Sequence, residues 1–123
     1  MNGAESLVRT LQLGGIEVCF TNPGTSEMHF MAALDRTNAL RCVLGLQENV
    51  VTGAADGYAR MTEKPAATLL HLGPGLSNAL SNLHNASKAG TGIVNIVGDH
   101  ATYHVKYNAP LTSNIEGIAR TIS

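Results

Sequence analysis

Residues 65–78 read PAATLLHLGPGLSN. A near-continuous apolar run, Ala66–Leu72, comes first. Gly73 and Gly75 follow it, and helical spacing of apolar residues begins after them. Near-continuous apolar runs of this length are typical of parallel strands that helices cover on both faces. The stretch therefore predicts a buried strand, a tight turn and a helix that begins near Leu76.

The same alternation extends in both directions along the chain. Further apolar runs predict strands at Ile16–Phe20, Leu40–Leu46 and Ile93–Val97. Helices are expected from Asn2 to Gly14, over about Asn49–Arg60, over Leu76–Ala89, and after a cap at Thr25 or Ser26 with Met28, Met31 and Leu34 on the apolar face. Helices and strands in alternation build a parallel sheet, so the predicted fold is a three-layer α/β/α domain over residues 1–123.

Composition excludes several classes of protein. With 123 residues, 44% of them hydrophobic, and a net charge of -1, the chain can bury a core, which excludes a disordered segment and a basic nucleic-acid binder. No apolar run approaches the ~20 residues of a membrane span, and the N-terminus resembles no leader, so no membrane partner and a cytoplasmic location are expected. Cys19 and Cys42 are expected to be inert buried thiols, and the spacing of the five histidines predicts no protein-built metal site.

The candidate site lies in the loops that follow the strands. Ligands of parallel sheets bind beyond the carboxyl ends of the strands. Polar residues and glycines occupy those positions in three loops, at residues 21–25, 47–49 and 71–75. These loops are therefore expected to line a site.

Glu48 is the residue of these loops with the clearest chemical potential. Its sequence neighbours are mostly apolar, which predicts burial and favours the protonated carboxyl, whereas the N-terminus of the following helix favours the carboxylate. The sequence does not rank these two effects. A simple helix-capping role for Glu48 is the alternative.

Four motifs in order extend this reading to the whole chain. They are Asn22-Pro23-Gly24, Gln47-Glu48, residues 55–60 (ADGYAR) before the strand at Pro65, and Gly73-Pro74-Gly75 with Asn78. The set resembles the pyrimidine-binding (Pyr) domain of thiamine diphosphate-dependent enzymes, in the group of acetolactate synthase, benzoylformate decarboxylase and pyruvate decarboxylase. The resemblance implies an N-terminal cofactor-activating domain of an acetolactate synthase-like decarboxylase or carboligase, a lyase or transferase acting on 2-oxo acids.

The resemblance also implies roles for individual residues. Glu48 would hydrogen-bond N1′ of the cofactor's aminopyrimidine and relay the proton that leads to the C2 ylide. Residues implied to bind the cofactor are Asn22, Pro23, Gly24, Thr25, Glu48, Pro74 and Asn78. His71 occupies the position of a substrate-facing histidine in the benzoylformate decarboxylase-like members, which implies a catalytic role, with a purely structural role as the alternative. His104 falls where pyruvate decarboxylases carry a histidine pair, but Val105 occupies the second position.

The family organisation leads to further expectations. Mg²⁺ and the diphosphate would be held by a separate domain with a Gly-Asp-Gly motif, which does not occur here. Because the family's Pyr domain continues past the position of Ser123, the chain is expected to be truncated and inactive alone. A homodimer or homotetramer through Pyr-Pyr contact is expected, with Asp56–Tyr58 in helix packing and subunit contact and with these apolar residues exposed in a monomer: Val51, Ala55, Leu76, Leu80 and Leu83.

Two alternatives come from other functional classes. Gly73 and Gly75 follow a strand and open a helix, and Asp99 ends the next strand, as in a dinucleotide-binding module. Asn78 replaces the third glycine of that motif, however, and Pro74 stiffens the turn. A non-catalytic α/β oligomerisation domain with an exposed sheet edge is the other alternative.

Overall fold

A parallel sheet lies at the centre of the chain, for which the computed structural model describes residues 1–38 and 40–123. The strands are β1 (Val18–Asn22), β2 (Arg41–Leu44), β3 (Ala66–Leu70) and β4 (Ile93–Val97), in the spatial order β2-β1-β3-β4. The helices are α1 (Gly3–Leu13), α2 (Met28–Thr37), α3 (Glu48–Thr62), α4 (Leu72–Ala89), α5 (Thr102–Val105) and α6 (Ile115–Ala119). The predicted order of helices and strands through β4 is confirmed.

Helices cover both faces of the sheet, which confirms the three-layer α/β/α architecture. On one face α1 and α2 pack over Cys19 and Leu69. On the other face α3 and α4 pack over Phe20 and Leu70, together with α6. Among the residues that the structure describes, no helix has both the length and the apolar character that crossing a membrane requires.

Only the central strands are buried on both faces. Every residue of β3 is buried, whereas three of the four residues of β2 are exposed, and β4 is at best half-buried. The expectation that all apolar strands are covered on both sides is therefore wrong for β2 and β4. Both strands lie at the edges of the sheet, where helices centred on β1 and β3 shield them incompletely.

The two helix starts on the α1/α2 face differ in how they are capped. Asn2 and Glu5 form the predicted capping box, with Asn2 Oδ1 accepting from the Glu5 amide at 2.9 Å. Neither Thr25 nor Ser26 caps α2, which begins at Met28 after a short 3-10 turn over Thr25–Glu27. Of the residues predicted for the apolar face, Leu34 is buried and Met31 is half-buried against the core, but Met28 is 63% exposed. Phe30 and Ala33 complete the buried face.

The helices on the opposite face direct their apolar residues towards the sheet. Val51, Ala55, Leu76 and Leu83 are at most 4% exposed, so the expectation that they would be exposed in a monomer is wrong. These side chains belong to the core of the domain, because they pack against Leu70 and Phe20 of the strands beneath them. Leu80 is half-buried.

The cysteines are not isolated from one another. Cys19 and Cys42 are register partners on the adjacent strands β1 and β2. Cys19 is buried as expected, but Cys42 is exposed because β2 is an edge strand. The expectation of two buried thiols is therefore wrong for Cys42.

Candidate functional site

The carboxyl ends of the strands position two groups of polar side chains that share the first turns of α4. One group joins the start of α3 to α4 through Glu48 and Asn78. The other joins the loop after β1 to the end of β3 through Glu27 and His71. Parallel strands place these loops on one edge, as the sequence predicts.

Glu48 is the first residue of α3, yet its side chain does not cap that helix. Gln47 is the cap, and its Oε1 accepts from the Asn49 and Val50 amides at 2.7 and 3.3 Å. The Glu48 carboxyl instead reaches α4, where Oε2 accepts from Asn78 Nδ2 at 3.0 Å. The capping alternative for Glu48 is therefore wrong.

Glu48 is 7% exposed, and its carboxyl retains unused acceptor capacity. Oε1 lies near Gly75, where a Cβ atom would be 3.2 Å away, and among the described residues no donor bonds to it. Buried carboxyls are costly unless they are paired or hydrogen-bonded. This oxygen is suited to an N–H group of a ligand ring, so the geometry fits an aminopyrimidine cofactor.

His71 lies between the end of β3 and the start of α4. Its Nδ1 is 2.8 Å from Glu27 Oε2, and that same oxygen accepts from the Gly24 amide at 2.7 Å. The histidine side chain is 25% exposed, whereas that of Glu27 is 1% exposed. His71 is therefore a partly accessible imidazole held by a buried carboxyl.

Other implied cofactor residues surround these two groups. Asn22 is the last residue of β1, and both Asn22 and Pro23 are half-buried. Gly24 lies against the His71 ring, because a side chain at this position would overlap it. Thr25 and Pro74 are exposed. The structure therefore brings Gly24 together with His71, and Asn78 together with Glu48.

Gly73 and Gly75 lie in the first turn of α4, which begins at Leu72 rather than near Leu76 as predicted, and both are packed against protein atoms. A side chain at Gly73 would overlap Ser113, and one at Gly75 would press on Glu48 Oε1. A dinucleotide-binding turn needs its glycines free for the approach of a pyrophosphate, and a buried carboxyl beside the helix start opposes such an anion. This geometry disfavours the dinucleotide alternative.

The remaining candidates lie elsewhere or serve packing. His104 is in the short helix α5, where its ring packs against His100 and Tyr107 at centroid distances of 5.3 and 5.7 Å. Asp56 pairs with Arg60 at 2.9 Å, and Tyr58 packs edge-on against Phe20. The helix-packing role expected for residues 56–58 is consistent with these contacts.

No cluster of three metal-ligating side chains occurs in residues 1–38 and 40–123.

Sequence reasoning missed two residues of this site, Glu27 and Gly98. Glu27 is 3% exposed, and a side chain at Gly98 would overlap its carboxyl. The spacing Gly24-Thr25-Ser26-Glu27 carries a usable signal, since a glutamate three residues after a helix cap bonds back to the cap amide. The contact with Gly98 links Glu27 to the end of β4, and no local sequence pattern indicates this link.

Comparison with known proteins gives a family match over nearly all of the chain. The family model that matches residues 1–118 is described as thiamine pyrophosphate enzyme, N-terminal TPP binding domain. IlvX of Mycobacterium tuberculosis (strain ATCC 25618 / H37Rv), whose name suggests an acetolactate synthase large subunit, is 63% identical over 123 residues, or 100% of this chain and 24% of IlvX. The acetolactate synthase isozyme 3 large subunit of Escherichia coli (strain K12) is 30% identical over 122 residues, or 99% of this chain and 21% of that subunit. The chain thus spans a quarter or less of these curated relatives.

Solved structures share the fold. A thiamine diphosphate-dependent 4-hydroxybenzoylformate decarboxylase of Rhodococcus jostii RHA1 superimposes with a TM-score of 0.90 at 26% identity, over 97% of this chain and 22% of that one. A benzoylformate decarboxylase of Polynucleobacter necessarius superimposes with a TM-score of 0.81 at 30% identity, over 95% of this chain and 22% of that one.

Proposed function

This chain belongs to the thiamine pyrophosphate enzymes, whose N-terminal TPP binding domain it matches, and we propose that it is the cofactor-activating module of an acetolactate synthase-like enzyme. The proposed enzyme decarboxylates 2-oxo acids or joins them to a second carbonyl compound, as a lyase or transferase. One observation carries this proposal: a buried glutamate that takes no part in capping its own helix and keeps one oxygen available.

Within this module Glu48 holds and moves a proton. When bound, thiamine diphosphate supplies the nucleophilic carbon and the electron sink for cleavage beside a 2-oxo group. Glu48 Oε1 is the acceptor offered to a ring nitrogen, while Asn78 holds Oε2 and so orients the carboxyl. A carboxyl at this position acts as a general acid and base towards the ligand.

His71 is proposed as the second proton-transferring group, facing the 2-oxo acid. It is partly exposed at the edge of the sheet, and its Nε2 forms no hydrogen bond within the described part of the chain. Asn22, Pro23, Gly24, Thr25 and Pro74 complete the proposed cofactor pocket. Mg²⁺ and the diphosphate are proposed to be held by a separate domain, as the family organisation implies.

Assembly and location belong to the same proposal. A homodimer or homotetramer through contact between these modules is proposed, and the enzyme is placed in the cytoplasm. Neither a nucleic acid nor a membrane is a proposed partner.

The proposal is tested in a chimera in which a solved relative supplies the other domains. Residues 1–118 replace the matching residues of the Rhodococcus jostii decarboxylase, whose backbone superimposes closely with this chain. We expect the chimera to bind thiamine diphosphate and to decarboxylate 4-hydroxybenzoylformate. Glu48→Gln should lower kcat by about 10²-fold or more, the scale of a lost general acid–base group, because an amide holds no transferable proton.

A matched control and a second readout separate the possible outcomes. Glu63→Gln changes an exposed glutamate at the far end of the same helix and should retain activity. Deuterium exchange at the reactive carbon of bound cofactor should slow in Glu48→Gln. Near wild-type exchange would remove Glu48 from the mechanism, and a folded chimera that binds no cofactor would disprove the proposed function.

A further inference from the structure

Glu27 is a buried carboxyl that the proposed chemistry does not yet use. It is 3% exposed, and its Oε2 accepts from the Gly24 amide at 2.7 Å and lies 2.8 Å from His71 Nδ1. Oε1 is buried without a hydrogen-bond partner in the described residues. Among the described residues, no Lys or Arg pairs with this carboxyl. His71 is therefore the only ionisable side chain of that part of the chain that pairs with it.

We infer that Glu27 is a positioning residue that keeps a proton on His71 Nδ1 and leaves Nε2 as the nitrogen that exchanges protons with a ligand. The inference deepens the proposed function, on which the role of His71 towards a 2-oxo acid rests. It assigns one ring nitrogen, Nδ1, to the contact with Glu27 and the other, Nε2, to proton exchange with the ligand.

The hydrogen bonds to Oε2 decide the tautomer. A backbone N–H can only donate, so the Gly24 amide makes Oε2 an acceptor. A carboxylate oxygen in that role accepts a second bond from His71 when Nδ1 carries a proton. Nδ1 therefore stays protonated in both the neutral and the cationic ring, and proton exchange falls to Nε2.

Two glycines make this arrangement possible. A side chain at Gly24 would overlap the His71 ring, and one at Gly98 would overlap the Glu27 carboxyl. Gly98 follows β4 and its amide donates to the Leu70 carbonyl of β3 at 3.0 Å, so its position is tied to the sheet. Three strand ends thus hold the carboxyl and the imidazole together, which is the preorganisation that proton transfer requires.

Nitrogen-15 NMR of the 123-residue chain tests the inference without any cofactor. Long-range ¹H–¹⁵N correlations at alkaline pH identify which ring nitrogen carries the proton. We expect the neutral His71 ring to be in the Nδ1–H form, whereas the exposed His29 and His84 should show the Nε2–H preference of a free histidine side chain. Finding wild-type His71 in the Nε2–H form would overturn the inference, whatever the variants do.

Variants then identify Glu27 as the cause. Glu27→Gln should keep the Nδ1–H form, because the amide oxygen still accepts from both N–H groups, and Glu27→Leu should lose it. Gly98→Ala leaves Glu27 in place but displaces its carboxyl, so it should also lose the Nδ1–H form. A folded Glu27→Leu or Gly98→Ala chain that retains that form would contradict the inference, and either variant suffices if the other does not fold.

A control addresses the helix-capping role of the same residue. Glu5 forms the equivalent bond to the Asn2 amide, at 3.1 Å, and contacts no histidine. Glu5→Leu should leave the His71 tautomer unchanged, and a shift there would mean that Glu27→Leu acts through general destabilisation, which contradicts a positioning role. A chimera that fails with the Nδ1–H form intact would disprove only the proposed function.

Discussion

Two of the nine acidic side chains, Glu27 and Glu48, are buried at the carboxyl edge of the sheet. Neither forms an ion pair with Lys or Arg among the described residues, whereas the exposed Glu17 and Glu116 do. Burying a carboxyl without a cation costs stability, and residues placed in this way cluster at functional sites. Burial and hydrogen-bond partners, rather than residue type, therefore distinguish these two candidate site residues from the acidic residues on the surface.

The cysteine pair leads to a prediction about thiol reactivity. Burial, with a smaller contribution from Cys42, raises the pKa of Cys19 to about 12, and burial also raises the pKa of Cys42. The thiolate is the reactive form, and only Cys42 is exposed. We expect iodoacetamide near neutral pH to modify Cys42 slowly and Cys19 only after unfolding, as peptide mass spectrometry would show. Equal labelling of both in the native chain would contradict this.

Burial of Cys19 also predicts a loss of stability in alkali. The folded pKa of Cys19, about 12, exceeds the ordinary value of 9.0, so the unfolded chain releases this proton first. The contribution of Cys19 to the free energy of unfolding is complete below about pH 9. It is lost as the pH rises towards 12, by at most about 1.4 kcal/mol per pH unit. Lys64, whose pKa the Glu17 hydrogen bond raises, acts in the same direction. Urea unfolding at several alkaline pH values should show a shallower decline for Cys19→Ala, and an unchanged slope would refute the assignment.

At the scale of elements, the contact between α3 and α4 positions Glu48 against Asn78. The two helices also meet at Gly53, where a Cβ atom would lie 2.9 Å from Asn82 Nδ2. That amide donates to the Asn49 carbonyl at 2.7 Å, which ties the first turn of α3 to α4. The small residue at Gly53 thus allows the close approach on which the site depends.

Two glycines of α3 predict opposite effects of the same substitution. Gly57→Ala should stabilise the chain by about 0.5–1 kcal/mol, because alanine restricts the unfolded chain and meets no atom within 4 Å. Gly53→Ala should lose that gain, since it displaces Asn82 from its hydrogen bond. Urea midpoints of the two variants provide the comparison. If the Gly53→Ala chain were as stable as the Gly57→Ala chain, α3 and α4 would have room for a Cβ atom at position 53 without loss of the Asn82 hydrogen bond.

At the scale of the whole molecule, the most exposed apolar side chains near the site lie before and at the start of α3. Leu44, Leu46 and Val50 are 66%, 90% and 60% exposed. Together they form what we call the Leu46 surface. Large exposed apolar groups often mark interaction surfaces. We propose this surface for the subunit contact, in place of the buried residues that the sequence indicated.

The Leu46 surface predicts self-association. We expect sedimentation velocity at tens of micromolar chain to show a species larger than the 12.9 kDa monomer. Leu46→Lys should shift it towards the monomer, whereas Met61→Lys, at an 85% exposed position at the other end of α3, should not. A wild-type chain that sediments only as a monomer would contradict the proposed contact.

Cofactor binding provides a second prediction at this scale. We expect calorimetry to detect no saturable binding of thiamine diphosphate with Mg²⁺ to the 123-residue chain. The described residues hold no metal-ligating cluster to neutralise the diphosphate, and the buried Glu48 carboxyl adds negative charge beside α4. Saturable micromolar binding would show that the diphosphate ligands lie within this chain.

Much of the fold was predictable because its signals are local. The apolar run before Gly73 predicts β3, whose residues are all buried, and the Asn2-Glu5 spacing predicts the cap of α1. Glu48 was also predictable as a candidate, since a carboxyl after an apolar strand lies at the ligand-binding edge of a parallel sheet. Each of these features depends on neighbours within one element and the loop beside it.

Contacts between distant segments were decided only by the tertiary structure. The spatial order β2-β1-β3-β4 exposes β2 and Cys42, although its apolar sequence alone resembles that of a buried strand. Glu27 meets His71 across 44 positions, and Gly98 closes the same site from a third strand. Periodicity reports which face of an element is apolar, but exposure and hydrogen-bond partners depend on which elements are neighbours in space, and packing of the whole chain decides that.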